Sequence, residues 1–131
     1  MWRGACVTST ARPTTAMNIG KDLVAASATQ LVLAILAEGP SYGYAIIKLV
    51  GELSSGRLQW TDGMLYPVLD RLERLGCLEA SWGTSETGRR RKYYRITEQG
   101  LDHLDRQRRQ WQAVDETLRG IWSVMLDQQE V

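Results

Sequence analysis

The hydrophobic pattern changes period once, at Leu78, and that change limits the available folds more than any other feature of the chain. Before it, three stretches repeat apolar residues at helical spacing. Ala28, Leu31, Val32, Ile35 and Leu36 fall at i, i+3, i+4, i+7 and i+8, one stripe on a helix predicted over Lys21 to Ala37. Gly39-Pro40 ends it, because glycine accepts a left-handed cap and proline cannot extend a helix. Ser41 then falls where a second helix needs its N-cap, followed by Tyr42, Ala45, Ile46, Leu49, Val50 and Leu53 at the same spacing and broken by Ser54-Ser55-Gly56. Thr61 falls at the cap of a third helix, with Asp62 at its positive end and a stripe of Leu65, Val68, Leu69, Leu72 and Leu75 stopped by Gly76. Pro67 suits only the start of a helix, so the regular part is expected to begin one or two residues later than a cap at Thr61 would place it.

From Leu78 the spacing is that of a strand. Leu78, Ala80 and Trp82 alternate with Glu79 and Ser81, Gly83 to Gly88 is rich in turn residues, and Tyr93, Tyr94 and Ile96 favour extended backbone. The segment reads as a two-stranded hairpin, which is marginal in water alone and must pack on the helices. Tyr93 and Tyr94 point to opposite faces of the second strand: one belongs to the core, and the other is free to meet a phosphate. Thr97 then caps a last helix reaching about Gln128, roughly 45 Å long at 1.5 Å per residue. Leu101, Leu104, Trp111, Val114, Leu118, Ile121, Trp122 and Met125 step along it by three or four for the most part. A ~75-residue domain cannot cover a rod of that length. A second copy of the chain is the economical cover for its far half, since most homo-oligomers are two-fold dimers. The organisation expected is therefore a disordered extension over 1–20, a helical and hairpin domain over 21–96, and a dimerisation helix over 97–128. The extension has no apolar period and is rich in Thr and Ser, and a translation start at Met17 accounts for it better than a targeting peptide.

Composition removes several function classes. With 131 residues, 44% hydrophobic and 24% charged, the chain is one ordinary domain, not a disordered polymer. The longest uncharged stretch of the core, Leu23 to Ala37, is 15 residues broken by Ser27, Thr29 and Gln30, too short and too polar to span a membrane. Cys6 and Cys77 cannot form a disulfide framework or a cysteine-rich zinc site, and His103 is the only histidine, so no metal or other cofactor is expected. No nucleophile–base pair or phosphate-binding glycine loop marks an enzyme. Cys77, at the head of a strand, reads as a small buried hydrophobe and His103 as a surface residue.

The net charge of +1 draws no polyanion, but its distribution does. Residues 1–60 hold five basic and three acidic groups, 61–96 seven and five, and 97–131 four and seven. Thr87 to Ile96 contains Arg89, Arg90, Arg91, Lys92 and Arg95 and no acid, five positive charges in ten residues. Such a cluster is either a solvated face or a site for a polyanion. Three short helices followed by a basic hairpin is the order of a winged helix-turn-helix, an α+β fold that is mainly helical. Its third helix fits the major groove of double-stranded DNA while the hairpin reaches phosphates or the adjacent minor groove. Opposite its leucines the third helix offers Tyr66, Pro67, Asp70, Arg71 and Arg74, with Met64 near its N-terminal end. Tyr66 lies off the leucine stripe and reads as a DNA contact or a packing residue. An interaction adaptor that uses the same fold to hold a protein is the other class the pattern admits.

Three runs carry a family resemblance: Leu33-Ala-Ile-Leu-Ala-Glu-Gly-Pro-Ser-Tyr-Gly-Tyr44, Gly63-Met-Leu-Tyr-Pro-Val-Leu-Asp-Arg-Leu-Glu-Arg-Leu-Gly76 and Gly88-Arg-Arg-Arg-Lys-Tyr-Tyr-Arg-Ile-Thr-Glu-Gln-Gly100. In order and spacing they resemble the PadR family of bacterial transcriptional regulators, and the single C-terminal helix is similar to that of its small-sized subfamily. The resemblance implies a homodimeric, cytoplasmic regulator, usually a repressor, on a palindromic operator. It implies that Tyr66 and Pro67 lie on the reading helix, that Tyr44 and Lys48 flank the supporting helix, and that Arg89 to Lys92 form the wing. Many members have Thr or Ser where Met64 stands, and a thioether bonds a base or phosphate only weakly, so the operator is expected to differ.

On the last helix Trp111 and Asp115 share a face at i and i+4. Two indoles and two carboxylates across a dimer would make a slot for a planar aromatic cation, similar to the tryptophan-lined interface pocket of multidrug-sensing small PadR proteins. The other reading makes Trp111 dimer core beside Leu104, Leu118, Trp122 and Met125, with Asp115 solvated.

Overall fold

The computed structural model describes residues 19–129, in the order α1 (Lys21–Ala37), β1 (Ser41–Tyr42), α2 (Gly43–Leu53), α3 (Asp62–Arg74), β2 (Leu78–Thr84), β3 (Arg90–Ile96) and α4 (Glu98–Gln129). The expectation of disorder over 1–20 lies, apart from Ile19 and Gly20, outside the described residues. The fold is the expected one, mainly helical with a small antiparallel sheet, a winged helix-turn-helix followed by a long C-terminal helix.

Two local expectations are corrected. Ser41 does not cap α2: it forms, with Tyr42, a third strand on the open edge of β3, Ser41 opposite Tyr94 and Tyr42 opposite Tyr93. The unpaired edge of a two-stranded hairpin supplies the hydrogen-bonding partners that draw these two residues into extended backbone. The N-cap position of α2 passes to Tyr42, without a side-chain capping bond. The second correction concerns Pro67, which is the sixth residue of α3 and does not delay it. The helix starts at Asp62, with the Met64 and Leu65 amides both donating to the Thr61 carbonyl at 3.1 and 3.0 Å. Thr61 holds the cap position with extended backbone but makes no side-chain bond. Pro67 costs the helix one amide donor, and the carbonyl released is that of Gly63, an exposed residue.

The end of α3 is closed by backbone bonds that require glycine. Gly76 has φ +83°, its amide donates to the Glu73 carbonyl at 3.0 Å, and the Cys77 amide donates to the Leu72 carbonyl at 2.9 Å. This left-handed cap turns the chain directly from α3 into β2. Thr97 ties the other end of the hairpin to the same corner. Its hydroxyl donates to the Gly76 carbonyl at 2.6 Å and accepts from the Gly100 amide at 3.0 Å, capping α4 in the expected way. Gly100 lies so close to the Cys77 carbonyl that a Cβ there would overlap it.

Helices α1, α2 and α3 enclose one core of Val32, Leu33, Leu36, Ile46, Val50, Leu65, Leu69 and Leu72, closed by Leu78 and Tyr94 from the sheet and by Trp60 from the loop before α3. Tyr94 is the core tyrosine, only 1% exposed, and Tyr93 faces the other side, edge-on to Tyr42 with ring centroids 5.5 Å apart. The first part of α4 lies against α1, and Leu104 packs on the core. Beyond Trp111 nothing among the described residues covers α4: Val114, Leu118, Ile121, Trp122, Val124, Met125 and Leu126 are 39–61% exposed. Among the described residues, no helix is long and apolar enough to cross a membrane.

Candidate nucleic-acid interface

Helix α3 has two opposed stripes. Leu65, Leu69 and Leu72 are fully buried, and on the far side Gly63, Pro67, Asp70 and Arg74 recur at i, i+4, i+7 and i+11, all exposed. Two of the expected contact residues are not on that outer stripe. Met64 is half-buried and packs against the core, beside Trp60 and Leu58 in a shallow cleft with Val24 and Ala25 of α1. Arg71 swings toward α1, where its Nη2 donates to the Thr29 hydroxyl at 2.8 Å. Thr29 is itself buried, so this bond satisfies a polar group inside the helix-helix seam.

Tyr66 packs within the chain and is still partly open to solvent. Its ring lies against Gly43 at the start of α2, where any Cβ would collide with the phenol, yet the side chain remains 38% exposed. Tyr44 is 69% exposed, and Lys48 stands one helical turn further along the same face of α2. Across from them stands the hairpin. A groove of about 740 Å³ runs between the two, with Tyr44, Tyr66 and Asp70 on one wall and Trp82 and the run from Arg89 to Lys92 on the other.

The wing cations are held by aromatic faces. The Arg91 guanidinium lies 3.9 Å from the centre of the Tyr42 ring, Arg90 lies 4.7 Å over Trp82, and the Lys92 ammonium lies 5.4 Å from Tyr94. Strand alternation explains the partition: Arg91 shares a face with Tyr93, and Arg90 and Lys92 share the opposite face with Tyr94. Lys92 also approaches Glu73 of α3 at 3.9 Å, and Arg95 pairs with Glu79 across the hairpin. Arg89, Arg90 and Arg91 have no acidic partner among the described residues. The tip behind them is a closed turn. The Gly88 amide donates to the Ser85 carbonyl and the Ser85 amide to the Arg89 carbonyl, both at 2.9 Å. Burial raises the Tyr94 phenol above its usual range, with Lys92 opposing, so it stays neutral. Burial likewise raises the Cys77 thiol, which keeps it protonated and unreactive.

Trp111 is half-buried on α4 and lines a mainly apolar cleft of about 410 Å³ with Leu23, Leu31, Ala34 and Leu58. Asp115, one turn on, accepts a 2.8 Å hydrogen bond from the Arg119 Nε, so a neighbouring cation already balances its charge. Leu118, Trp122 and Met125 stand exposed beyond it, and Leu104 is half-buried in the chain's own core. Among the described residues no three His, Cys, Asp or Glu side chains gather as a metal would require.

The model of the transcriptional regulator PadR-like family matches residues 32–106, from the middle of α1 through the whole winged region into α4. The chain belongs to the PadR-like family of transcriptional regulators. An uncharacterised protein of Lysinibacillus sphaericus is 30% identical over 100 residues, 76% of this chain and 92% of its own. The transcriptional regulator YqjI of Escherichia coli is 30% identical over 68% of the chain, which spans 41% of that longer protein. Among solved structures, a transcriptional regulator from Clostridium thermocellum superposes with a TM-score of 0.70 at 30% identity, over 77% of this chain and 95% of that one. A PadR family regulator from Eggerthella lenta gives 0.67 at 32% identity, over 76% and 85%. As a PadR-like winged-helix regulator, the chain has three elements around its groove that sequence patterning alone missed: the strand β1, the aromatic seats of the wing cations, and the turn of Arg71 toward α1.

Proposed function

We propose that this PadR-like regulator binds double-stranded DNA as a homodimer in the cytoplasm, and that each subunit lays α3 into one major groove of a palindromic operator with the wing on the flanking backbone. The observation that carries the reading is the juxtaposition of Tyr66 and Asp70 of α3 with Arg89, Arg90 and Arg91, which have no acidic partner among the described residues, across one open groove. Tyr44 and Lys48 extend the same surface along α2. Half-sites about one helical turn apart fit two reading helices related by a two-fold axis. With Arg89, Arg90 and Arg91 from each subunit neutralising phosphates, log affinity for a labelled duplex is expected to fall with log salt at a slope near −5.4. Fluorescence anisotropy across a salt series measures it; binding that ignores salt would favour the protein-adaptor reading.

Binding of a small aromatic effector near Trp111 and Asp115 releases the operator in this reading, as in a ligand-responsive repressor. Support comes from the apolar cleft beside Trp111, which a partner's α4 would deepen; Asp115, one turn away, would have to exchange Arg119 for the effector's cation. The effector acts by favouring one spacing of the two α3 helices over another. A planar aromatic cation is expected to quench the part of the fluorescence that disappears in Trp111→Ala. Equal quenching in the two proteins would instead make Trp111 plain dimer core.

A further inference from the structure

We propose that Asp70 reads the operator, its carboxylate accepting a hydrogen bond from the exocyclic amino group of a cytosine in the major groove. The inference rests on the DNA-binding reading and adds to it a residue that sets sequence preference. Asp70 stands on the outer stripe of α3 between Pro67 and Arg74, exposed, facing the groove whose opposite wall is Arg89 to Lys92.

Among the described residues the carboxylate accepts no hydrogen bond and makes no ion pair, although its charge adds to burial in raising the pKa of the Tyr94 phenol. Of the other acids, Glu73 pairs with Lys92, Glu79 with Arg95, Asp105 with Arg108 and Arg109, and Asp115 with Arg119, while several more, Asp62 of the same helix among them, are likewise without a cationic partner among the described residues. Arg74 follows it by four residues on the same helix and four wing cations line the groove, yet among the described residues none of these pairs with Asp70. It is the ninth residue of α3, past the first turn where a negative charge would stabilise the helix dipole. Against a phosphate it would only repel. An ionised carboxylate accepts hydrogen bonds and donates none, so its partner on DNA must be a donor.

The major-groove edge offers few donors. Guanine presents only acceptors there and thymine an acceptor and a methyl group, so both repel a carboxylate. Adenine places an acceptor beside its amino group, whereas cytosine N4 offers a donor alone. A carboxylate at this position therefore favours cytosine: against guanine or thymine it finds no donor, and against adenine the N7 acceptor lies beside the only donor.

Selection from a randomised duplex pool tests this with the wild type, Asp70→Asn and Asp70→Ala, each checked for an unchanged circular dichroism spectrum. The wild type is expected to enrich cytosine at one pair of dyad-related positions by on the order of tenfold. Asp70→Asn shifts those positions toward adenine, whose N6 and N7 an amide can engage together, and Asp70→Ala loses the preference there while the rest of the motif survives. The proposal is overturned if all three proteins enrich the same motif and the variants merely bind every duplex more tightly. A wild type that binds duplex DNA but enriches no motif also overturns it, while leaving the DNA-binding reading in place. A wild type that binds no duplex sinks both.

Discussion

Replacing Arg89 and Arg91 together by alanine is expected to weaken binding to operator and to unrelated duplex alike, by on the order of a hundredfold in dilute salt. The two guanidiniums lie at the base of the wing tip, without an acidic partner among the described residues, so their charge is available to phosphate. The substitution removes two cations from each chain and four from a dimer. At about 0.9 per phosphate, the slope of log affinity against log salt should flatten by about 3.6. The fold should survive. The left-handed cap after α3, the Thr97 cap and the core use neither residue, and the interaction lost among the described residues is the stacking of half-buried Arg91 on Tyr42, about 1 kcal/mol. A mobility-shift titration across salt concentrations measures both effects, and unchanged retardation by the double variant would refute the role given to the wing.

The second large effect concerns the uncovered half of α4. Ile121 and Met125 are one turn apart, and each is about half exposed in the single chain. Aspartate at both positions should leave the fold of one subunit intact, because neither side chain contributes to its core. In a dimer sealed by this face, the same change forces four carboxylates into an apolar seam, at a cost of several kcal/mol each where they find no partner. The dimer dissociation constant is then expected to rise more than a thousandfold, read by sedimentation equilibrium, and operator affinity to fall with it, since each monomer grips a single half-site. A double variant that sediments as the wild type does would show that α4 is covered in some other way.

Much of this architecture is visible in the residues before any coordinates. The leucines of α3, the Gly76 stop, the alternation from Leu78 to Trp82 and the cap at Thr97 are local signals, each tied to one backbone geometry. What could not be seen depended on contacts distant in sequence. Ser41 and Tyr42 carry ordinary helix-start chemistry and become a strand only because β3, about fifty residues later, offers an open edge. Arg71 falls on a face that helical periodicity marks as outward, and the hydroxyl of Thr29, 42 residues earlier, bends it aside. Met64 has the address of a base-contacting residue, yet the cleft beside Trp60 offers its thioether apolar cover. For the wing, the interleaving of Tyr93 and Tyr94 with arginines was legible, but the seat of each cation depended on register. Tyr42 and Trp82 are the rings beneath Arg91 and Arg90 because β1 and β2 flank β3 in that alignment.

The central claim is that two copies, joined through α4, press α3 and the wing against one duplex. Light scattering on the purified protein, alone and with a short operator duplex in dilute salt, tests it most directly. The expected result is a free particle of twice the 14.8 kDa chain mass and a complex holding two chains per duplex. A particle of single-chain mass that gains nothing when duplex is added would contradict the account.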